Sequence, residues 1–195
     1  MGQGPGKKTL AGALGLLYAG LVLAQFNPFS VLGKVVTTTM DVRSKAEVSA
    51  DTEISAGISR RLLDDKKSEW AGVTALVFAQ HVVLAGAVKT GEVKKRVEDV
   101  AKRDPKIRSF KSELLTGDAG SLARDTALEA EINATLTAAQ GVSSVNMRWS
   151  ATGGRVVLMG VAQSQQEADL AAQKIRAVKG VKALKSHLRV VPVKK

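Results

Sequence analysis

Apolar residues recur at four-residue intervals in two separate stretches of this chain, first as Ile54, Ile58 and Leu62 and later as Leu128, Ile132 and Leu136. That spacing puts each trio on one stripe of a helix. Asp51 and Asp125 stand just ahead of the stripes and are expected as N-caps, whose carboxylates accept the free N–H groups of a first turn. Two β-type runs follow each helix, around 73 to 79 and 82 to 88 in the first half and around 147 to 152 and 156 to 162 in the second. Gly153-Gly154 marks a tight turn between the later pair, so a hairpin is expected. The second strand of each pair contains a glycine, Gly86 or Gly160, a residue that permits a bulge or a close helix approach. Thr90 and Ser164 are the expected N-caps of a second helix, and Ser164 with Glu167 has capping-box spacing. Its buried stripe is Val93, Val97, Val100 and Ala101 in one half and Ala168, Ala171, Ala172, Ile175 and Val178 in the other, with Gly180 as the stop. A last strand alternates through Leu184, Ser186, Leu188 and Val190, matched by Phe110, Ser112 and Leu114.

These two halves are copies of one unit. Asp51-Thr52 recurs as Asp125-Thr126, Val82-Val83-Leu84-x-Gly86 as Val156-Val157-Leu158-x-Gly160, and Lys111-Ser112 as Lys185-Ser186, all in one register without a gap. The pattern predicts an α+β class chain of two tandem domains, each α-β-β-α-β with a three-stranded sheet and two helices on one face. Their spans are 50–115 and 125–193, joined by a turn-forming tether at 116–124 that contains Gly117, Asp118, Gly120 and Ser121. Residues 25–49 read as a linker. At ~70 residues each unit has a small core, and packing between the copies would add stability.

Residues 1–24 have the form of an export leader. Lys7 and Lys8 precede an apolar run from Leu10 to Ala24, and small residues before Gln25 fit cleavage between Ala24 and Gln25. The other reading is a retained N-terminal anchor, since apolar residues resume at Phe26 and about 20 of them span a bilayer. Both place the remainder outside the cytoplasm.

The formal charge of +11 and pI of about 10.0 favour a polyanionic partner. Aromatic residues are only 4% of the chain, which leaves little to stack nucleic acid bases, so no nucleic acid partner is expected. The absence of cysteine excludes disulfides, thiolate nucleophiles, thiolate zinc sites and cysteine lipidation. The two histidines, His81 and His187, have no motif partner, and no HExxH, G-x-S-x-G or phosphate loop is present. Gly153-Gly154 is a turn and no phosphate cradle. The chain is therefore read as a binding protein and not an enzyme, with no metal or cofactor expected.

The Asp-Thr doublet, the Val-Val-Leu-x-Gly strand and the closing Val-Lys-Gly-Val-Lys-Ala-Leu at 178–184 resemble the BON domain. Tandem copies behind an export leader resemble the OsmY and DolP type of envelope protein, over about residues 40 to 192. The resemblance implies a periplasmic or cell-envelope location in a Gram-negative bacterium, interaction with anionic phospholipid or a membrane surface, and a role in envelope integrity or stress tolerance. Two departures stand out. Ala24-Gln25 occupies the place of a lipobox cysteine, and Ala127, Glu129 and Glu131 occupy the helix that the family turns toward anionic lipid. Glutamates repel such a surface.

The candidate lipid-binding residues are therefore cations elsewhere. Lys94, Lys95, Arg96, Lys102 and Arg103 fall on the second helix of the first domain or just past its end. Lys174, Arg176, Lys179 and Lys182 form a second group, extended by Lys185 and the terminal Lys194 and Lys195. Each cation near an anionic bilayer contributes roughly 1 kcal/mol, whereas the bland alternative is solvated helix faces neutralised by Glu92, Glu98 and Asp99. Trp70 is either an interfacial indole or a cap on the core, and Trp149 is packing, between sheet and helix or between domains. An alternative function is a protein-interaction module that docks on an envelope protein partner without touching lipid.

Overall fold

A computed structural model describes residues 41–65, 70–118 and 120–191. The proposed leader, the Ala24-Gln25 cleavage site and Lys194 and Lys195 lie outside them. The first unit runs α1 (Lys45–Asp64), β1 (Val73–Phe78), β2 (His81–Val88), α2 (Gly91–Ala101), β3 (Ser109–Ser112) and β4 (Leu115–Thr116). The second runs α3 (Leu122–Ala138), a 3₁₀ turn (Ser144–Asn146), β5 (Met147–Thr152), β6 (Arg155–Ala162), α4 (Gln165–Arg176) and β7 (Ala183–Val190). In each sheet the middle strand, β2 or β6, pairs antiparallel with its hairpin partner and parallel with the last strand. The α-β-β-α-β order is thus present twice.

Helix α1 starts earlier than the stripe of Ile54, Ile58 and Leu62 suggests, inside the stretch read as a linker. Its N-cap is Ser44, whose hydroxyl accepts from Glu47 N while the Glu47 carboxylate accepts from Ser44 N. Helix α3 is likewise preceded by Ser121. Asp51 and Asp125 are therefore not N-caps. Both are buried within their helices, Asp51 in the second turn of α1 and Asp125 in the first turn of α3. Asp51 accepts from Ala79 N at 2.7 Å and Gln80 N at 2.6 Å, and Asp125 from Gly153 N at 2.9 Å and Gly154 N at 3.4 Å. These are the hairpin-turn residues, all with positive φ. Each aspartate satisfies two N–H groups that the tight turn leaves without a strand partner, and so fastens helix to hairpin.

Glu167 departs from a capping box as well. Ser164 Oγ accepts from Glu167 N, but the buried Glu167 carboxylate accepts from Gln163 N and Ser143 N, each at 2.7 Å. It thereby ties α4 to the loop that follows α3.

The last strand of the first unit is shorter than expected and broken. Lys111 and Ser112 pair with Val83 and Leu84, the ladder lapses at Leu114, and Leu115 and Thr116 resume it against Ala87 and Val88. Glu113 N still donates to Leu84 O at 2.8 Å. Pairing thus extends to Thr116, inside the expected tether.

Among the described residues three apolar clusters hold the fold together. One lies between α1, α2 and the first sheet, with Ile54, Ile58, Val82, Leu84 and Val97, and its second-unit equivalent holds Ile132, Leu136, Trp149, Val156, Leu158 and Ile175. The third joins Leu76, Phe78, Val83 and Ala85 to Val157, Met159 and Val161. Alternate residues of β2 and β6 therefore face a helix layer and the other sheet. Two-sided burial is why both strands read as nearly unbroken apolar runs. The two sheets stack back to back, with the helix pairs forming the two outer layers. Trp149 belongs to the sheet–helix core, its Nε1 donating to Glu129 O at 3.3 Å, and Trp70 caps the first core half-buried.

Candidate anion-binding surfaces

The first predicted cluster does not survive as a unit. Lys94 is half-buried, and its Nζ donates to Leu114 O at 2.7 Å, so it anchors the end of the broken strand. Lys102 pairs with Asp99 at 2.6 Å, and Arg103 Nε donates to Asp99 O at 3.1 Å. Lys95, Arg96 and Arg103 line an open cleft of about 620 Å³ together with Arg61 and the carboxylates of Asp64, Asp65, Glu92 and Asp99. That cleft alternates sign and is no plain anion site.

In the second group Lys174, Arg176, Lys179 and Lys182 are all exposed. Lys174 and Arg176 occupy the last turn of α4, where cations oppose the partial negative charge of the carbonyl end. Because α2 and α4 lie in opposite outer layers, the two predicted groups do not form one continuous surface.

The structure instead gathers cations where the sheets meet at one rim. Val83, Val157, Met159 and Val161 face the other sheet, and their pairing partners on the flanking strands are Lys111, Lys185, His187 and Arg189. Residues paired across adjacent strands share a face, so these four point into the seam between β3 and β7. Lys111 Nζ lies 3.5 Å from His187 Nδ1, and His187 Nε2 lies 2.8 Å from Glu113 Oε1. A lysine only donates and a carboxylate only accepts, so His187 carries its proton on Nε2. Arg155 adds a 2.9 Å ion pair to Glu113. Burial raises the Glu113 pKa, but the hydrogen bonds from His187 and Arg155 outweigh it and leave the carboxyl below its ordinary value.

Glu113 and His187 are 74 residues apart and occupy equivalent places in the two copies. Direct contact between equivalents is what a local twofold between the domains produces, and it brings Lys111 and its equivalent Lys185 to the same seam. At the seam's far end Arg189 is depressed by burial and then by the neighbouring Arg108 cation. His81 is lowered by burial and by both of these arginines. The sequence carried a signal for this site, in that Lys111 and Lys185 recur in register on the strand face opposite the apolar positions.

A second polar network closes another part of the interface. The ring of Phe78 lies 4.3 Å from the Arg43 guanidinium and 5.4 Å from that of Arg148. Arg43 bridges Asp41 at 2.6 Å and Asp51 at 2.9 Å, and Val42 N donates to Asn146 Oδ1, so the segment before α1 straps onto the second domain. Burial lowers the Arg148 pKa to about 10, with Arg43 adding to the shift. Its Nη1 donates to Val145 O and Met147 O. These groups are already occupied by one another and are structural.

Gly86 and Gly160 serve the strand ladder and not a helix contact. A Cβ on Gly86 would lie 1.8 Å from Gly72 O, and one on Gly160 2.1 Å from Asn146 O. Glu129 does not face solvent as a simple repulsive charge, because its carboxylate accepts from Ala151 N on β5 at 2.7 Å. No group of three or more metal-ligating side chains occurs among the described residues, and none of their helices is long and apolar enough to cross a membrane.

A sequence model of the BON domain matches residues 50–109 and 124–192. The osmotically-inducible protein Y of Escherichia coli K12 is 31% identical over 144 residues, covering 71% of this chain and 72% of that protein. A protein of the gshII 5′ region of Anaplasma centrale is 31% identical over 125 residues, or 62% of this chain and 83% of its own length. Among solved structures, CdsD, a structural protein of the type III secretion system of Chlamydia trachomatis, is 16% identical with a TM-score of 0.32. That match covers 74% of this chain and 65% of CdsD.

Proposed function

Because the chain belongs to the BON-domain family, with two copies in tandem, we propose that it is an exported envelope protein that binds anionic phospholipid or another envelope polyanion. It acts in the periplasm or cell envelope of a Gram-negative bacterium, supporting envelope integrity or stress tolerance. The osmotic inducibility named for its Escherichia coli relative supports the stress role. The chemistry is binding, not catalysis.

The observation that carries this reading is the outward display of cations on two domains packed through a shared apolar cluster. Lys95, Arg96, Lys102, Arg103, Lys174, Arg176, Lys179 and Lys182 are exposed, as are Lys111 and Lys185 at the seam. Those cations that come to face an anionic bilayer attract it by roughly 1 kcal/mol each, and salt screens that attraction. A second reading, a module that docks on an envelope protein, is favoured by the cleft beside α2, where charges of both signs alternate.

Co-sedimentation of the full chain with phosphatidylglycerol and with phosphatidylcholine vesicles separates the two. The neutral vesicles account for any apolar attachment through residues 10 to 24. Anionic-selective binding that falls at least tenfold between low and physiological salt is the expected result. Equal binding to both vesicle types at low salt would sink the lipid reading and leave the protein-docking one.

A further inference from the structure

We infer that the phospholipid head groups are held at the rim seam between β3 and β7, by cations from both domains, and not on the outer helix faces. This inference rests on the membrane-binding reading above. Lys111, Lys185 and Arg189 project from the two flanking strands into one seam, with Arg108 at its far end. Among the described residues Lys111, Lys185 and Arg189 have no carboxylate within ion-pair distance, whereas Lys102 at the end of α2 and Lys106 in the turn after it are paired with Asp99 and Glu53.

The seam's acids are already committed. Glu113 is shared by Arg155 and His187 with Lys185 acting on it from further off, and Glu47 lies 3.5 Å from Arg108 and, with Asp51, offsets part of the charge on Arg189. What remains is an excess of cations on alternate residues of one strand, Lys185 and Arg189, facing Lys111 across the gap. Successive same-face residues are ~7 Å apart along a strand, so the row offers several separate contacts to an anionic array. Bringing like charges from two domains together costs energy in the unliganded protein. An incoming phosphate removes that repulsion as well as forming ion pairs, an advantage that cations of a single domain's outer face lack.

Two further features select a bilayer over a free anion. Both flanking strands lie at sheet edges, β3 beside β2 and β7 beside β6, so the seam opens at the rim of the sandwich where a flat surface can reach it. Val191, the next residue of that parity after Arg189, is 45% exposed and would meet the apolar side of the head-group layer.

The test compares two full-length variants of equal charge loss, Lys111→Gln/Lys185→Gln/Arg189→Gln at the seam and Lys102→Gln/Lys174→Gln/Lys179→Gln on the outer layers. Binding to phosphatidylglycerol vesicles should fall roughly fivefold for each seam cation removed, about a hundredfold in total. The outer variant should lose less than tenfold, and Lys111→Arg/Lys185→Arg should bind like the parent. Inorganic phosphate at millimolar concentration should not displace the vesicles. If the parent binds and both glutamine variants lose affinity equally, attachment is diffuse and the seam assignment fails. Displacement by inorganic phosphate alone overturns it too, as a free-anion site. If the parent itself does not bind, it is the membrane reading that fails. Thermal unfolding of each variant within 2 °C of the parent ties any loss to the surface.

Discussion

Gly160→Ala should destabilise the protein by roughly 3–5 kcal/mol, a large share of the 5–15 kcal/mol typical of a folded domain. The residue sits at φ +128° opposite Met147, in a backbone region that L side chains rarely adopt. An added Cβ would lie 2.1 Å from Asn146 O and 2.9 Å from Met147 Cα. Both obstacles are backbone atoms, at the end of the 3₁₀ turn and the start of β5, so no rotamer change relieves them. Urea denaturation would show a lowered midpoint with little change in slope. Gly86→Ala in the first domain should behave alike, since its Cβ would meet Gly72 O at 1.8 Å. A change under 1 kcal/mol in either variant would mean that the two hairpins are not closed as described.

Phe78→Ala should cost about 3–5 kcal/mol and should also uncouple the domains. Its ring is fully buried in the apolar cluster shared by the two sheets, and it is the platform for the Arg43 and Arg148 guanidinium groups. Removing it opens a cavity at the interface and strips the buried Arg148 cation of an aromatic neighbour. The parent should unfold in one transition, because each small domain relies on the other for one sheet face. The variant should show two, the later one reported by Trp149, which belongs to the second domain's own core. A single transition of unchanged midpoint would show that the shared core contributes little. As a control, Leu158→Ala removes a buried side chain from the second core alone and should lower stability without splitting the transition.

Much of this architecture is legible in the chain because one pattern occurs twice. Helix stripes, hairpins and strand order follow from local periodicity, and Thr90 and Ser164 cap their helices as read from sequence. The misreadings share a physical origin, since each concerns a group whose partner is distant along the chain. Asp51 looks like a cap because aspartate before an apolar stripe usually is one, yet its partners are turn amides 28 and 29 residues away. Glu167 turns from the expected local partner to Ser143 N, 24 residues back. Lys94 looks like a surface cation until the broken strand brings Leu114 O within reach.

The stacking of the two sheets was written in the sequence less directly. Val82-Val83-Leu84-Ala85 does not alternate, and a strand with one solvated face would. That absence of alternation, set against the apolar-polar steps Phe110-Lys111 and Leu184-Lys185 on the flanking strands, maps the seam. Apolar residues on the middle strands close the interface, and lysines on the last strands mark its rim. What local pattern could not supply is the pairing of equivalents, Glu113 with His187, because that depends on how one copy turns to face the other.

Hydrogen exchange of the full chain, alone and with phosphatidylglycerol vesicles, reads out which surface meets the bilayer, since a bound surface gains protection where it is covered. Added protection is expected at 108–113 and at 185–191 together, from both domains, and none with phosphatidylcholine. Protection confined to α3, or to α2 and α4 with 108–113 and 185–191 unchanged, would contradict it.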